Sequence, residues 1–580
     1  SCRSIFPKPI FSTKDLLAIY IMLTISSAIN GLDMLQLIGS IIAGPHALST
    51  LENDWQALFM RHIPSWLLVS DKLILENYIQ GDSSLYLKSH LMALLFPALV
   101  WSSFTICLVL VMLGITLVLS SRWVSMEKLS YPVIQLPLRM VQNNFWNNRL
   151  MWVGFAVGAS MGFFNGLHFF LPFLPTLGKP INLGLYLTQP PWNAMGWLPI
   201  AVHPFAIGLS FFIPIDISFS CWFFYWLYKT ELMIGKIVGM SNLPRFPYAN
   251  EQGFGAYIGL LVFTFWAGRS HFKNLLHHFS NLHHAKIEGG NDNNEPIPYR
   301  LAFLGIIIGL AFLTIFSYKI GMAFWVIPIF FTIYFLLAIM ISRLRAELGF
   351  LVHDLHRIDP HSMIITGVGT RRLNTGTLIT FSVYMFFNRA YRAHPMPQQL
   401  EALKISSVQN INSKQVAISI LVATFMGSIV TFWLLLDNYY RHGAESGYYG
   451  PWALGFGRQV YNQLAGWMNY QQDNDLLGMG FAGIGLGLTS ALMILRARFL
   501  WWPLHPLGYA MANSWGMSNL WSCLLVVWLI KFLILRHGGL KLYRRAIPFF
   551  LGMALGDYIF GGTWSIGSIL TNTTLYQFWP

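Results

Sequence analysis

Charge is what this 580-residue chain has little of. Only 10% of its residues are Asp, Glu, Lys or Arg, where a water-soluble protein carries about 25%. With 55% hydrophobic residues and a mean hydropathy of +0.52, a soluble globular fold is excluded. Cysteine is also sparse. Cys2, Cys107, Cys221 and Cys523 form no CxxC pair, so neither a disulfide framework nor a thiolate metal site is implied. A nucleotide-binding loop, a c-type haem CxxCH and a Ser/His/Asp arrangement are missing, so no cofactor and no enzyme activity are expected. No cleavable signal peptide is evident. The chain opens at Ser1 rather than Met, and a segment upstream is expected.

What the chain does have is a succession of long apolar runs separated by short polar loops. A helix crosses the hydrocarbon core with about 20 apolar residues. Runs near 15–44, 91–119, 150–171, 200–228, 252–268, 301–318, 321–342, 373–388, 412–436, 479–497, 499–516, 517–535 and 546–570 predict an all-α, polytopic transmembrane helical bundle of about 13 spans. Those at 373–388 and 499–516 are short enough to be re-entrant, which lipid tolerates only where protein or a water-filled cavity covers the backbone. The first run is interrupted by Asn30, Gly31 and Asp33, the pattern of a broken helix.

The net charge of +14 fits basic cytoplasmic loops beside anionic lipid rather than nucleic acid. Segment 121–149 carries Arg122, Lys128, Arg139 and Arg149 against Glu127, and segment 536–547 carries Arg536, Lys541, Arg544 and Arg545 without an acid. Both are placed inside. The acid-richer 437–478 and the nearly uncharged 172–199 are placed outside, which puts the N-terminus in and the C-terminus out.

Gly154, Gly158, Gly162 and Gly166 share one helix face, and Gly552 and Gly556 repeat the spacing. Small residues so placed let helix backbones approach in lipid, either as plain packing or as a sliding surface. The glycines from Gly478 to Gly487 read as packing too. Ser220-Cys221 with Trp226-Leu227 and Lys229 matches Ser522-Cys523 with Trp528-Leu529 and Lys531 at constant offset. Arg122 with Tyr131-Pro132 and Leu136-Pro137 loosely echoes Arg498 with Trp502-Pro503 and His505-Pro506. This suggests a parallel internal repeat of four spans, with chance similarity among apolar segments as its competitor. The resulting division is 1–90 (first span and extracytoplasmic segment), 91–268 (four-span unit), 269–436 (central spans with a polar cluster at 343–361), 437–478 (extracytoplasmic loop) and 479–580 (second four-span unit).

Ionisable groups inside a bilayer are costly and tend to be functional. Asp216 follows Pro214, which removes a backbone donor, and precedes Ser218 and Ser220. Such a break can bind a cation, a proton or a substrate amine, or the acid can simply bond a neighbouring helix. Asp33 beside Gly31 and Asp557 beside Gly556 are pathway acids or helix caps. Lys229 and Lys531 are expected to snorkel from span ends. Arg345 and Glu347 can clamp a zwitterion or belong to a solvated salt-bridged loop. His353, Asp354 and His356 are metal-capable types, although their spacing matches no zinc pattern. His271, His277, His278, His283 and His284 sit above an apolar helical stripe, as on a helix lying in the interface. Proline pairs in Arg392–Pro397 and around His505, with Asn513 nearby, can free carbonyls to coordinate a ligand.

The segments DLLAIYIMLTISSAINGLDMLQ, ENDWQALFMRHIPSWL, EKLSYPVIQLPL, DISFSCWFFYW, RAELG, YRAHPMP, WWPLHPLGYAMANSWGMS and LILRHGGLKLYRRAIPFFLGMALGD resemble a family of prokaryotic multi-pass membrane proteins, uncharacterised and carried as two adjacent domains of unknown function. That family is distantly similar to oligopeptide transporters, which move peptides or metal chelates, usually with protons. The resemblance covers nearly the whole chain. It implies a prokaryotic inner-membrane location and one more span before the first one here, and it supplies no established functional residues.

Three readings follow. The first is a secondary transporter of a small polar solute, peptide-like or a metal chelate, coupled to protons. The second is a structural or assembly subunit of a larger membrane complex or homo-oligomer, docking through aromatic segments 45–90 and 437–478 with Trp55, Trp66, Tyr439, Tyr440, Tyr448, Tyr449, Trp452 and Tyr461. The third is an intramembrane metalloenzyme using His353, Asp354 and His356. In each, the lipid bilayer is the constant partner.

Overall fold

The computed structural model describes residues 11–127, 129–178, 180–240, 243, 245–270, 273, 299–349, 358–446, 452–571, 573 and 575–576. The first helix, α1 (Thr13–Asn30), starts at a reciprocal cap. The Asp15 backbone N–H donates to Ser12 Oγ at 3.2 Å, and the Ser12 N–H donates to the Asp15 carboxylate at 2.9 Å, which satisfies donors that a helix start leaves open. It is followed by α2 (Ile38–Leu48), α3 (Lys72–Gln80), α4 (Lys88–Ser120) and α5 (Arg149–Phe170). A two-residue hairpin comes next, β1 (Ile181–Asn182) antiparallel to β2 (Pro199–Ile200), with Ile181 opposite Ile200. Then come α6 (Pro204–Ser210), α7 (Ile215–Val238), α8 (Ala249–Ala267), α9 (Tyr299–Ile320) and α10 (Val326–Leu348). The remainder is α11 (Pro360–Val368), α12 (Thr375–Val383), α13 (Met396–Gln409), α14 (Ser413–His442), α15 (Trp452–Asn469), α16 (Leu476–Arg498), α17 (Pro506–Met511) and α18 (Trp515–Thr571).

Among the described residues, eight helical stretches are long and apolar enough to cross a membrane. The chain is therefore a helical membrane protein. Several expected runs take a different form. Runs 517–535 and 546–570 fall in the single stretch α18, which breaks at Gly539 with φ 58° and ψ −162°, a conformation open to glycine because it lacks a Cβ. Run 200–228 is divided between α6 and α7 at Pro214, whose ring cannot supply the N–H a continuous helix needs. Runs 373–388 and 499–516 hold only short helices, α12 with the turn Met385–Asn388, and α17. The histidines from His271 to His284 lie outside the described residues.

The chain forms two compact units, each drawn from separated segments: 1–128, 265–342 and 355–480 in the first, and 129–264, 343–354 and 481–580 in the second. In the first unit the interruption at Asn30–Met34 separates α1 from α2, with Asp33 in the left-handed region at φ 64°. Four of the aromatic residues read as docking groups pack inside this unit. Trp55, Tyr439, Tyr440 and Tyr461 are buried. Tyr78 packs edge-on against Tyr439 and Tyr440, and the Tyr461 hydroxyl donates to the Ile41 carbonyl at 2.9 Å. Burial of an aromatic ring with its hydroxyl satisfied is core packing. Tyr448 and Tyr449 lie outside the described residues.

In the second unit the glycine stripe of α5 meets that of α18. A Cβ at Gly154 or Gly158 would overlap the Phe549 or Met553 carbonyl, and one at Gly552 or Gly556 would overlap the Met151 or Phe155 carbonyl. The two stripes let the backbones touch, and the interlocked contact is packing rather than a free sliding face.

Candidate functional site

The second unit contains two helices broken in the same way. α6 begins after His203, ends at Ser210, and gives way to α7 through Phe211–Pro214. α17 begins after His505, ends at Met511, and gives way to α18 through Ala512–Ser514. His203-Pro204 and His505-Pro506 stand at the offset that relates Ser220 to Ser522 and Lys229 to Lys531. The two broken helices also bond each other reciprocally. Ser220 Oγ donates to the Pro503 carbonyl at 3.2 Å and accepts from the His505 N–H at 2.7 Å. Ser522 Oγ donates to the Ala201 carbonyl at 2.6 Å and accepts from the Ala201 N–H at 3.1 Å. The His203 N–H points to Cys523 Sγ at 3.4 Å.

Breaking a helix leaves polar backbone groups that a bilayer cannot satisfy, and buried charges meet that need. Lys531 Nζ donates to the Phe211 and Ile213 carbonyls at 3.1 and 2.6 Å. Asp557 Oδ2 accepts from the Phe205 N–H at 2.9 Å. A cation thus sits at the C-terminal end of α6 and an anion at its N-terminal end, the arrangement its dipole favours. Lys229 donates to the Met195 and Trp197 carbonyls at 2.9 and 2.7 Å. Both lysines are buried rather than snorkelling, because each ammonium finds carbonyl acceptors nearer than water.

Asp216 lies in the first turn of α7 and pairs with Arg496 near the end of α16 at 2.5 Å. This pair is accessible, with side-chain exposures of 30% and 38%. The single Ser220 hydroxyl proton is shared between the Pro503 carbonyl and the nearer Asp216 carbonyl at 2.7 Å, so Ser220 joins the backbones of Asp216 and His505. The charges of Arg496, Asp216 and Arg343 reach His505, whose Nδ1 accepts from the Leu507 N–H at 3.2 Å. Gly508 of α17 lies against the Ser220 backbone, where a Cβ would meet the Ser220 carbonyl at 2.6 Å.

Farther along α17 lies a second polar group. The Tyr509 hydroxyl donates to Gln252 Oε1 at 2.7 Å, and Gln252 Nε2 donates to Glu231 of α7 at 3.0 Å. Asn513 Nδ2 donates to Asn250 Oδ1 at 3.2 Å. The Phe224 ring stands against Tyr509, centroids 5.6 Å apart. Asp216 and Glu231 are 15 residues apart on one helix, roughly 22 Å at 1.5 Å per residue. The Phe224–Tyr509 ring contact lies between these two polar groups.

The structure therefore brings Asp216 and His505 together, places Asn513 farther along α17, and puts Asp557 at the start of α6. Glu347 pairs with Arg343 at 3.2 Å. Arg345 shares the end of α10, where Ser130 Oγ donates to the Glu347 carbonyl at 3.1 Å and the Tyr131 N–H to the Ala346 carbonyl at 2.8 Å. His353, Asp354 and His356 lie outside the described residues, and the described residues hold no group of three or more potential metal ligands. Sequence reasoning missed Arg496, whose signal was an arginine in the last turn of an apolar run. It also missed the Glu231–Gln252–Tyr509 chain, which only folding assembles.

Separately, the first unit holds Asp33 fully buried against Arg389 at 3.0 Å, with Arg392 at 3.6 Å. Arg389 stacks over Phe456. The pair ties the break after α1 to the YRAHPMP segment.

Such a set of helices, long and apolar with polar breaks, defines the class of polytopic helical membrane proteins. Within it, the chain belongs to DUF6785, a family of unknown function whose family model matches residues 1–580. No curated protein matches the sequence.

Proposed function

We propose that the protein is a secondary transporter of a small polar solute, driven by a proton gradient. The observation that carries this reading is the two polar groups along α7, the accessible Asp216–Arg496 pair in its first turn and the Glu231–Gln252–Tyr509 chain farther along, with the Phe224–Tyr509 ring contact between them. Discontinuous helices and internal repeats are recurrent in transporters, whose sites lie where the repeats meet. The reciprocal Ser220 and Ser522 contacts agree with that plan. On this reading Asp216 accepts the coupling proton or a cationic group of the substrate, and Arg496 receives whatever anion replaces it. Peptide-like solutes and metal chelates, the class the family resemblance suggests, are the first substrates to try, and a prokaryotic inner membrane is the proposed setting. The inward-turned aromatics of the first unit favour this reading over a docking subunit.

The test is uptake of labelled solutes into proteoliposomes under an imposed pH gradient. Asp216→Asn is expected to abolish gradient-driven uptake while leaving solute exchange measurable. Uptake in Asp216→Asn equal to that of the wild type would remove Asp216 from the mechanism.

A further inference from the structure

An apolar cleft of about 650 Å³ opens on the second unit. That volume lies within the ~300–1,000 Å³ of small-molecule sites. Its lining includes Ile207 of α6 and Ile530, Leu542, Phe549 and Phe550 of α18, and among the lining residues Arg545 alone is charged. The surrounding stretch from Phe532 to Gly556 contains Arg536, Lys541, Arg544 and Arg545 and no acid. Arg544 and Arg545 are exposed. A second depression, about 410 Å³ in the first unit and lined by Ile106, Leu421 and Phe425 among others, has no charged lining residue and so nothing to select a headgroup.

We propose that the cleft beside Arg545 binds one anionic phospholipid, its acyl chain along the aliphatic lining and its phosphate on Arg545. Hydrocarbon lining alone accepts any lipid. The guanidinium adds selectivity, because its planar fork matches phosphate oxygens, and an acid-free basic cluster attracts anionic headgroups. The site also touches the broken helix. Ile207 belongs to α6, and Phe550 stacks face to face on Phe211, in the break that follows α6, with centroids 3.9 Å apart. An occupied cleft therefore braces α6 where its backbone is least regular, and lipid binding raises the stability of the second unit.

The full-length protein in mild detergent is titrated with phosphatidylglycerol or phosphatidylcholine, with bound lipid counted by native mass spectrometry and unfolding followed by heating. Phosphatidylglycerol is expected to bind preferentially and to raise the melting temperature. Arg545→Gln should lower that preference about fivefold, the change one basic residue makes at an anionic surface, and Arg139→Gln should not. Ala546→Trp, which fills the cleft, should lose the bound lipid. Equal binding of the two lipids by the wild type, or unchanged preference in Arg545→Gln, overturns the proposal. So does a dimer that Ala546→Trp dissociates without changing lipid binding, since the occupant is then a second copy. Should Ala546→Trp fail to fold, photo-crosslinking with a diazirine-tailed phosphatidylglycerol on the wild type decides. Crosslinks at Leu150, Ile207 or within 526–553 support the site, and crosslinks confined elsewhere overturn it.

Discussion

Lys531→Met removes the cation from the break between α6 and α7 while keeping an unbranched side chain of similar reach. The Phe211 and Ile213 carbonyls lose a charge-assisted partner each, and both residues are fully buried, so water is a poor substitute. A buried acceptor left without a partner costs about 1–3 kcal/mol, which puts the gross loss for two at roughly 2–6 kcal/mol. Two effects reduce it. The ammonium no longer has to be desolvated, and the Tyr543 hydroxyl, 3.4 Å from the Phe211 carbonyl, takes up part of the deficit. A net loss of about 3 kcal/mol corresponds to a fall in Tm of ~6–12 °C for a body of this size. Lys229→Met is the internal comparison. One of its carbonyls belongs to Trp197, which is 44% exposed, so that acceptor finds other partners and about half the shift is expected. Buried free thiols at Cys221 and Cys523 make a thiol-reactive dye a direct reporter of unfolding. A Lys531→Met melt within about 2 °C of the wild type, or a larger loss in Lys229→Met, would refute the argument that Lys531 holds the broken helix.

Asp33→Asn leaves two arginines without their buried anion and should lower stability by about 3–5 kcal/mol, read as loss of folded protein on size-exclusion chromatography. Asn tolerates the left-handed backbone at this position, so a wild-type yield would show that the charge is dispensable. Gly158→Val drives a side chain into the Met553 carbonyl and should destabilise by about 1–3 kcal/mol or more, with Gly158→Ala between it and the wild type. An unchanged melt in the valine variant would mean that α5 and α18 do not touch there. Ser220→Ala and Ser522→Ala each remove a hydroxyl that bridges to the opposite broken helix, and losses of about 1–3 kcal/mol are expected for each. A cost confined to one of the two would argue against equivalent roles.

The membrane class was legible because hydropathy is local: a run of apolar residues reports its solvent without reference to any partner. The interruption at Asn30–Asp33 was legible for the same reason, since Gly and Asp break a helix wherever it packs. The glycine stripes of α5 and α18 were each readable, but that they face one another was not, because spacing marks a contact face and not its mate. Lys229 and Lys531 show the limit most clearly. Their place at span ends suggests snorkelling, yet the carbonyls that bury them belong to irregular backbone more than 30 residues away for Lys229 and more than 300 for Lys531. Arg496 escaped notice because it closes an apolar run at a place where basic residues ordinarily meet headgroups.

Accessibility separates the acids that hold the fold from the one to which the proposed transport chemistry is assigned. The Asp33 side chain is fully buried between arginines, and Asp557 is 4% exposed with an oxygen bonded to the start of α6. Asp33 thereby holds two arginine side chains, and Asp557 holds a backbone N–H at the start of α6. Asp216 differs in both respects. Its carboxylate is 30% exposed, and the contact that fixes its surroundings runs through its backbone carbonyl and Ser220 rather than through the carboxylate. On the proposed transporter reading, its side chain is the one that exchanges Arg496 for a proton or a solute cation. That accessibility, with an arginine beside it, is why the proposed proton coupling is assigned to Asp216. Asp557→Asn should therefore mainly lower stability and Asp216→Asn should mainly lower uptake, and the opposite pairing of effects would reverse the assignment.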